Sequence, residues 1–349
     1  MEKCLENTET CIQNNHTYDQ YEFSIESSSA PECFPMKEED VDFTLVTQLS
    51  FNRLSMMRQH CERWGDHPIS LAIGTTKNLE TVQKALSQLG CKNEMITVSL
   101  VSDFNSEEEY PVNRLRNLAM SHIKTSHAVI IDADFVLSVG LFEILHMHRA
   151  TLAADYLNAL VIPAFELRKV CEEQTLNCTA LHIAMLPHNK DELLKLYRGA
   201  TEVYSNSSSV TQSNGRGNFH GHASTRYTDW ITQPAEQLLP IECVTSDRYE
   251  PYLVVRHCRA LPPFQKVFVG YGQNKITWLQ QVRRAGYKFF QAGEGFVIHL
   301  PHRKSVSSVK WKKARLKDRG SVEVEKVAEA FRAWMTEYIP DNSQIPYCS

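Results

Sequence analysis

The chain has 349 residues, of which 42% are hydrophobic and 22% are charged, a mixture typical of a folded globular protein. Its formal net charge of −4 argues against nucleic acid as a partner, because nucleic-acid recognition normally needs a basic face. The sequence contains neither an apolar run of about 18 residues nor the pattern of a signal peptide. These features predict either a cytoplasmic protein or a chain that lacks its targeting segment.

Cysteine and sequon content point to a different compartment. The ten cysteines include no C-x-x-C pair, which argues against a structural zinc site. Their even number, together with N-x-[ST] sequons at Asn15, Asn177 and Asn206, favours a protein of the secretory pathway.

Residues 1–42 are predicted to form a disordered, acidic leader. Ten of the first 40 residues are acidic and only Lys3 and Lys37 are basic, so the segment buries too little apolar surface to offset its ordering entropy. From Phe43 onward, short apolar runs alternate with amphipathic stretches, which indicates a single α/β domain over residues 43–308. Residues 309–349 are predicted to be a helical tail that packs on this domain.

The predicted elements follow from apolar periodicity and from the positions of glycine and proline. In chain order they are a strand at 69–73, a helix at 79–89, a strand at 95–101, a helix at 111–123, strands at 128–131 and 160–162, a helix at 191–198, strands at 252–255 and 295–298, and an amphipathic helix within 310–338. Residues 205–228, rich in Ser, Asn and Gly, are predicted to be a long polar insertion.

A D-x-D triplet, Asp132 and Asp134, follows the strand predicted at 128–131. In an extended segment these side chains point the same way, and two carboxylates aimed at one point suit Mg²⁺ or Mn²⁺. Ligands also bind at the carboxyl ends of parallel strands in open α/β sheets. A second D-x-D, at Asp40 and Asp42, shows how easily the triplet arises by chance, so the preceding strand is what gives the first one its weight.

Six segments, in this order, form a recognisable set: YPVNRLRNLAMSHI at 110–123, IDADF at 131–135 running into GLFE at 140–143, VIPAFE at 161–166, EPYLVVR at 250–256, FVGYGQNK at 268–275 and VIHLPH at 297–302. Together they resemble glycosyltransferase family 49, the family of LARGE-type glucuronyltransferase domains and β-1,4-glucuronyltransferases. The resemblance covers roughly residues 65–305, and six blocks in order are far more specific than one motif.

The resemblance implies a GT-A fold with a Rossmann-like, mostly parallel central sheet, and an inverting transfer from a UDP-sugar to a glycan or glycoprotein acceptor. UDP-glucuronic acid is the implied donor, and the Golgi lumen the implied location. The implied cofactor is Mn²⁺ (or Mg²⁺), bound by Asp132, Asp134 and a histidine near the end of the domain. His299 matches that histidine, with His302 as the alternative.

An inverting transfer also needs a base for the acceptor hydroxyl. Glu250 is the first candidate because it precedes a strand inside a family segment, with Asp247 and Asp229 as alternatives. His222, in a Gly-His-Ala segment similar to one in the family, is expected to border the acceptor.

Donor binding is expected from three pairs of residues. A guanidinium on the helix before Asp132 can pair with a phosphate or carboxylate, glycine allows close backbone contact, and a glycine-rich bend can present polar side chains. The residues concerned are Arg116 and Asn117, Gly74 and Thr75, and Asn274 and Lys275.

Two other functions remain open at this point. A metal-dependent phosphohydrolase would use the same aspartates but would need further ligands for a second metal. A catalytically inactive relative that binds glycans would keep the fold without the activity.

Overall fold

The computed structural model describes residues 18–27, 30–104, 106, 109–171, 176–198, 210–212, 221–317 and 323–349. The strands are β1 (Phe43–Ser50), β2 (Ile69–Gly74), β3 (Ile96–Val101), β4 (His127–Ile130), β5 (Phe135–Leu137), β6 (Asn158–Ile162), β7 (Ala164–Leu167), β8 (Val210–Gln212), β9 (Leu238–Pro240), β10 (Tyr252–Arg256), β11 (Lys288–Ala292) and β12 (Val297–His299). The helices are α1 (Met57–Trp64), α2 (Leu79–Gln88), α3 (Val112–Met120), α4 (Leu141–His146), α5 (Arg149–Ala154), α6 (Leu176–Ala184), α7 (Lys190–Arg198), α8 (Tyr227–Thr232), α9 (Asn274–Arg284), α10 (Val306–Lys317) and α11 (Glu323–Tyr338). Short 3₁₀ turns cover Glu38–Asp40, Phe51–Met56 and Asn93–Met95.

An eight-stranded sheet in the order β3-β2-β1-β4-β10-β6-β11-β9 forms the centre of the domain. Only β10 and β9 run against the other strands. Both faces are covered, because Phe43 and Leu45 of β1 belong to one apolar cluster while Val46 belongs to another. The α/β class and the mostly parallel central sheet expected of a GT-A domain are confirmed.

A smaller sheet, in the order β5-β12-β7-β8, continues from the central one. The chain leaves β4 at Ile130 and enters β5 at Phe135, so the residues between these strands lie where the two sheets meet. The apolar cluster that packs on the smaller sheet contains Phe165, Trp230 and Phe296. Of the polar insertion predicted at 205–228, the described parts include β8, which pairs with β7, and the start of α8.

Nearly all of the predicted elements match observed ones within a few residues, but several observed elements had no prediction, among them α9, β11 and β1. The sequence of β1 mixes buried Thr44 and Thr47 with apolar residues, so no uninterrupted apolar run marks it. Its neighbours β2 and β4 are both parallel to it, and backbone pairing with both of them places this mixed sequence in the sheet.

The segment before β1 differs from the predicted disordered leader where the structure describes it. Tyr18 is buried, Phe23 packs on Phe331 of α11, and Cys33 forms a disulfide with Cys258 at the end of β10. An acidic segment that buries little surface by itself is thus held by aromatic contacts and a covalent bond to distant parts of the chain. Residues 1–17 and 28–29 lie outside the described residues.

Three further disulfides join Cys61 to Cys91, Cys171 to Cys178, and Cys243 to Cys348. The last one anchors the carboxyl end of the chain to the segment before β10, and α11 packs its apolar face on Phe268. Across the described residues, no helix is both long and apolar enough to span a bilayer.

Replacing Cys33 and Cys258 together by serine should lower the free energy of unfolding by about 2–5 kcal/mol, because the bridge closes a long loop in the unfolded chain. Urea unfolding measures the loss, and limited proteolysis should cut the segment before β1 sooner. The matched control is the Cys171→Ser/Cys178→Ser pair, whose bridge spans only seven residues. An equal loss in the control would contradict the loop-length argument.

Candidate functional site

The D-x-D lies in a turn between β4 and β5. The backbone N–H of Phe135 donates to the Asp132 carbonyl at 2.9 Å, and buried His60 of α1 bonds the Ala133 carbonyl at 2.9 Å. The sequence had suggested an extended segment with both side chains pointing the same way. The structure has a turn instead. The turn aims Asp132 and Asp134 at two different sets of partners.

Asp134 faces two imidazoles. Its Oδ2 lies 2.8 Å from Nε2 of His302 and 3.7 Å from Nε2 of His299. The ligand atoms of these three residues all lie within 4.8 Å of one another, an arrangement that can hold a metal ion. Asp132, predicted as a ligand, is not in this group, whereas the alternative His302 is the nearer of the two histidines.

Strand register explains why residues so distant in sequence meet here. Antiparallel pairing sets His299 of β12 opposite Phe135 of β5, and the next backbone N–H, of Leu300, donates to the Asp134 carbonyl at 2.9 Å. Pro301 then keeps the chain from forming a helix, which first begins at Val306. His302 can consequently turn back toward Asp134.

Asp132 faces cations instead. Arg116 of α3 donates to its Oδ1 at 2.8 Å, while Lys275 of α9 and the Tyr252 hydroxyl donate to its Oδ2 at 2.9 and 3.1 Å. Arg116 also donates to Asn274 at 2.9 Å, so α3 and the start of α9 are joined at this carboxylate. The predicted donor residues Arg116, Asn274 and Lys275 therefore converge on Asp132.

Charge pairing keeps both aspartates ionised. Burial would raise the pKa of Asp132, but Lys275 and Arg116 outweigh it and hold that pKa well below the ordinary value. Burial acts the same way on Asp134, where hydrogen bonds from His299 and His302 lower the pKa. For His299, burial lowers the pKa, but contact with Asp134 raises it above the usual value. Both carboxylates are therefore ionised, and each is already paired with cationic or hydrogen-bonding side chains.

The glycine-rich bend before α9 positions Lys275. Gly272 has φ +102°, and a side chain there would come within 2.7 Å of Trp311 of α10, so only glycine fits. Gln273 also adopts a left-handed backbone conformation, with φ 56°. Lys275 Nζ lies 4.1 Å from the Tyr252 ring centre and 4.0 Å from Glu250 Oε2. The predicted tight bend is present and brings Lys275 next to Asp132 and Glu250.

The remaining predicted donor residues have other partners. Gly74 is the last residue of β2 and Thr75 follows it, at the carboxyl end of the parallel strands. The Tyr110 ring packs so closely on Gly74 that an added side chain would lie only 2.6 Å from it. Asn117 exchanges two hydrogen bonds with the backbone of Phe264, at 2.7 and 2.9 Å. Asn117 therefore connects α3 to the loop before α9 and is not part of the group around Asp132.

The three candidate bases separate clearly. Glu250 lies within the cluster, beside Lys275, with its side chain 21% exposed. Asp247 is exposed on the surface, where its carbonyl accepts a hydrogen bond from Gln280. Asp229 is also exposed and pairs with Arg226 at 2.7 Å.

His222 lies next to the cluster, and its expected position beside the acceptor stays a prediction. The ring is buried and stacks on Tyr252 with 6.1 Å between ring centres. Glu250 is tied to the same segment, because its backbone N–H donates to the Gly221 carbonyl at 2.7 Å.

Three residues of the site had no prediction of their own. Arg53, from the 3₁₀ turn after β1, lies 3.8 Å from Asp134, and His60 supports the turn between the aspartates. No local pattern marks either one. Tyr252 lies in the EPYLVVR segment, two residues after Glu250, and this position was the feature of the sequence that could have identified it.

A second close group, Cys171, Cys178 and His182, does not offer a metal site. The two cysteines form a disulfide, which removes both thiolates. In the part of the chain that the structure describes, the group of Asp134, His299 and His302 is therefore the remaining candidate for a metal.

His222 should make stability depend on pH. Burial, and then the nearby Lys275, lower its pKa from 6.5 to about 3, so folding keeps it neutral while the unfolded chain is protonated below pH 6.5. Its contribution is complete above the unfolded pKa and is lost as pH falls toward 3. Between pH 6.5 and 5.5 the wild type should lose about 1 kcal/mol more than His222→Gln in urea unfolding. The control is His122→Gln at an exposed position, and a His222→Gln profile parallel to wild type would refute the expectation.

Comparison with known proteins agrees with the geometry. Residues 81–333 match the family model Glyco_transf_49, described as "Glycosyl-transferase for dystroglycan". The chain is 29% identical over 285 residues to mouse xylosyl- and glucuronyltransferase LARGE1, covering 80% of this chain and 34% of that protein. It is 32% identical over 276 residues to rat xylosyl- and glucuronyltransferase LARGE2, covering 76% of this chain and 35% of that protein. The chain thus spans about a third of the length of these relatives.

Among solved structures, the chain resembles GalNAc-T7 with UDP, GalNAc and Mn²⁺, with a TM-score of 0.45 and 10% identity, over 78% of this chain and 45% of that one. The family match extends over most of the chain and includes the D-x-D turn, the Glu250 segment, the glycine-rich bend and both histidines. The chain therefore belongs to glycosyltransferase family 49.

Proposed function

We propose that this chain is a metal-dependent, inverting glycosyltransferase that transfers glucuronic acid from UDP-glucuronic acid to a glycan acceptor. The observation that carries the proposal is the convergence of Asp134, His299 and His302 beside the Asp132, Arg116 and Lys275 network. This arrangement sets a cation site next to two positively charged side chains that suit a diphosphate.

The ligand atoms of this group suit Mn²⁺ better than Mg²⁺. One carboxylate oxygen and two imidazole nitrogens lie within 4.8 Å of one another, and Mg²⁺ prefers oxygen ligands, whereas imidazole suits transition metals. In the proposal Asp134, His299 and His302 hold the ion, with Asp132 beside them. When bound, such an ion would offset the negative charge that develops on a leaving diphosphate.

Lys275 and Arg116 are proposed to bind the donor phosphates. Both side chains are largely buried, at 11% and 8% exposed, so their charges interact strongly with an anion that enters the site. Arg116 is fixed by Asn113 at 3.0 Å and Asn274 at 2.9 Å, so its guanidinium is oriented before the donor arrives. Gly74 and Thr75 were expected to approach the uridine; because the Tyr110 ring covers Gly74, only Thr75 is proposed for this role.

Glu250 is proposed as the base. It is the candidate carboxylate that lies beside Lys275, whereas Asp247 and Asp229 are exposed on the surface. In this role it accepts the proton of the acceptor hydroxyl as that oxygen attacks the anomeric carbon and the UDP oxygen leaves. His222, tied to Glu250 through Gly221, is proposed to border the acceptor.

The names of the relatives support two donor sugars, because they describe both a xylosyl- and a glucuronyltransferase. This chain matches about a third of their length. Glucuronic acid is the preferred donor because the six sequence segments resemble the glucuronyltransferase part of the family. Rates of UDP release measured separately with UDP-glucuronic acid and with UDP-xylose decide between the two donor sugars.

The two alternative functions have less support. A two-metal phosphohydrolase needs a second set of ligands, and the one other close group within the described ranges is closed by the Cys171–Cys178 disulfide. A catalytically inactive glycan-binding relative would have no need for a cation site next to paired cations.

The disulfides support a place in the secretory pathway, and the Golgi lumen is the proposed location. Four bridges, Cys33–Cys258 among them, are characteristic of an oxidising compartment. Of the three sequons, Asn15 and Asn206 lie outside the described residues, and Asn177 belongs to α6.

Release of UDP from UDP-glucuronic acid, with Mn²⁺ and a xylose-terminated acceptor, tests the proposed activity. Asp134→Asn should lower kcat by at least about 100-fold, because it removes the charged oxygen between the two histidines. Circular dichroism and thermal unfolding should show an intact fold. The matched control is Asp229→Asn, which neutralises an exposed aspartate. Full activity of Asp134→Asn, or no UDP release by wild type with any UDP-sugar, would refute the proposal.

A comparison of Glu250→Gln with Asp247→Asn identifies the base. Loss of a general base costs about 10²–10⁴-fold in rate, so Glu250→Gln should lose at least about 100-fold in kcat while binding UDP and Mn²⁺ normally. Asp247→Asn should keep near wild-type kcat, because that carboxylate is on the surface. The opposite ranking would move the role to Asp247.

A further inference from the structure

We infer that Lys275 makes cation binding and nucleotide binding depend on each other: it neutralises Asp132 in the empty site and takes the diphosphate as its partner when the donor binds. This inference rests on the proposed function and assigns the coupling to one side chain.

Lys275 is held at Asp132 by several contacts at once. Its ammonium lies 2.9 Å from Asp132 Oδ2, 4.0 Å from Glu250 Oε2 and 4.1 Å from the centre of the Tyr252 ring. Only 11% of the side chain is exposed. A buried ammonium needs a counter-charge, so Lys275 can leave Asp132 only when another anion replaces it.

Asp132 is thereby made a poor partner for a lone divalent ion. Its one negative charge faces two cations within 3 Å, since Arg116 donates to Oδ1 at 2.8 Å and Lys275 donates to Oδ2. The Tyr252 hydroxyl donates to the same Oδ2 at 3.1 Å. Asp134 also has a cation nearby, because Arg53 lies 3.8 Å from it. A metal ion that arrives alone therefore meets aspartates whose charges are already compensated.

A nucleoside diphosphate changes this balance. It brings negative charge and hydrogen-bond acceptors that can pair with Lys275, and Asp132 then regains attraction for the cation. Each ligand consequently strengthens the binding of the other, which is a coupling free energy between two neighbouring sites.

The backbone around Lys275 allows its side chain to change partner while the main chain stays in place. Lys275 is the second residue of α9, and the Asn274 before it accepts a hydrogen bond from Arg116 at 2.9 Å. The Asn274 carbonyl also accepts from Asn113 at 3.2 Å. The helix start is thus fixed, and the exchange of partners is confined to the flexible side chain of Lys275.

Binding of Mn²⁺ without nucleotide, measured by electron paramagnetic resonance of the free ion, tests the inference directly. Lys275→Met removes the charge and keeps an unbranched side chain over Tyr252, so it should bind Mn²⁺ alone at least about 5-fold more tightly than wild type. In the Lys275→Met variant, UDP should bind more weakly than to wild type when Mn²⁺ is saturating. UDP should also increase the Mn²⁺ affinity of this variant less than it does for wild type. Lys275→Gln should likewise bind Mn²⁺ alone more tightly and UDP more weakly.

Two controls accompany the measurement. Lys275→Arg keeps the charge and should bind Mn²⁺ alone as wild type does. Lys288→Met removes a charge at the start of β11, which pairs with the beginning of β6 at the other end of the sheet, and should have no effect. Unchanged or weaker binding of Mn²⁺ alone by the Lys275→Met and Lys275→Gln variants would overturn the inference.

The outcome for the wild type distinguishes this failure from failure of the proposed function. If wild type binds Mn²⁺ with UDP but the Lys275 variants do not gain affinity for Mn²⁺ alone, only the role of Lys275 is overturned. If wild type binds no Mn²⁺ even with saturating UDP, both the metal site and the coupling are overturned.

Discussion

Antiparallel pairing of β5 with β12 is the constraint on which the site depends. It sets His299 opposite Phe135 and lets the Leu300 N–H bond the Asp134 carbonyl. A shift of one residue in this register would turn the His299 side chain to the other face of the small sheet. The pairing is supported on its other side by β7, which runs parallel to β12, with Glu166 level with His299. Backbone hydrogen bonds thus bring together the residues of the candidate metal site.

Compensation of buried charge is the second organising feature. Buried ion pairs contribute little net stability, because desolvation offsets their attraction. Their value here is positional, since Arg116 fixes α3 and the start of α9 against the turn that contains Asp132. The same contacts preorganise two cations at the sheet edge where family resemblance implies a nucleotide diphosphate. Stability is supplied elsewhere, by apolar clusters on both faces of the sheet and by disulfides that connect distant segments.

Much of the fold and part of the site could be predicted because they follow from local patterns. Short apolar runs and helical spacing located β2, β4 and α3 to within a few residues. The D-x-D after β4, and a basic residue on the preceding helix, were visible in the same way. Where polar residues interrupt a strand, as Thr44 and Thr47 do in β1, local pattern is insufficient and hydrogen bonding to both neighbours decides.

The sequence by itself determined the α/β alternation, the aspartates at a strand end and the family, because periodicity and motif order are properties of neighbouring residues. Only the tertiary structure decided that Asp134 meets His302, 168 residues away, and that Asp132 is occupied by Arg116 and Lys275. It likewise decided that Asn117 serves the backbone of Phe264, and that the segment from Tyr18 onward packs on α11. These outcomes depend on strand register and on the packing of distant elements, which no local pattern records.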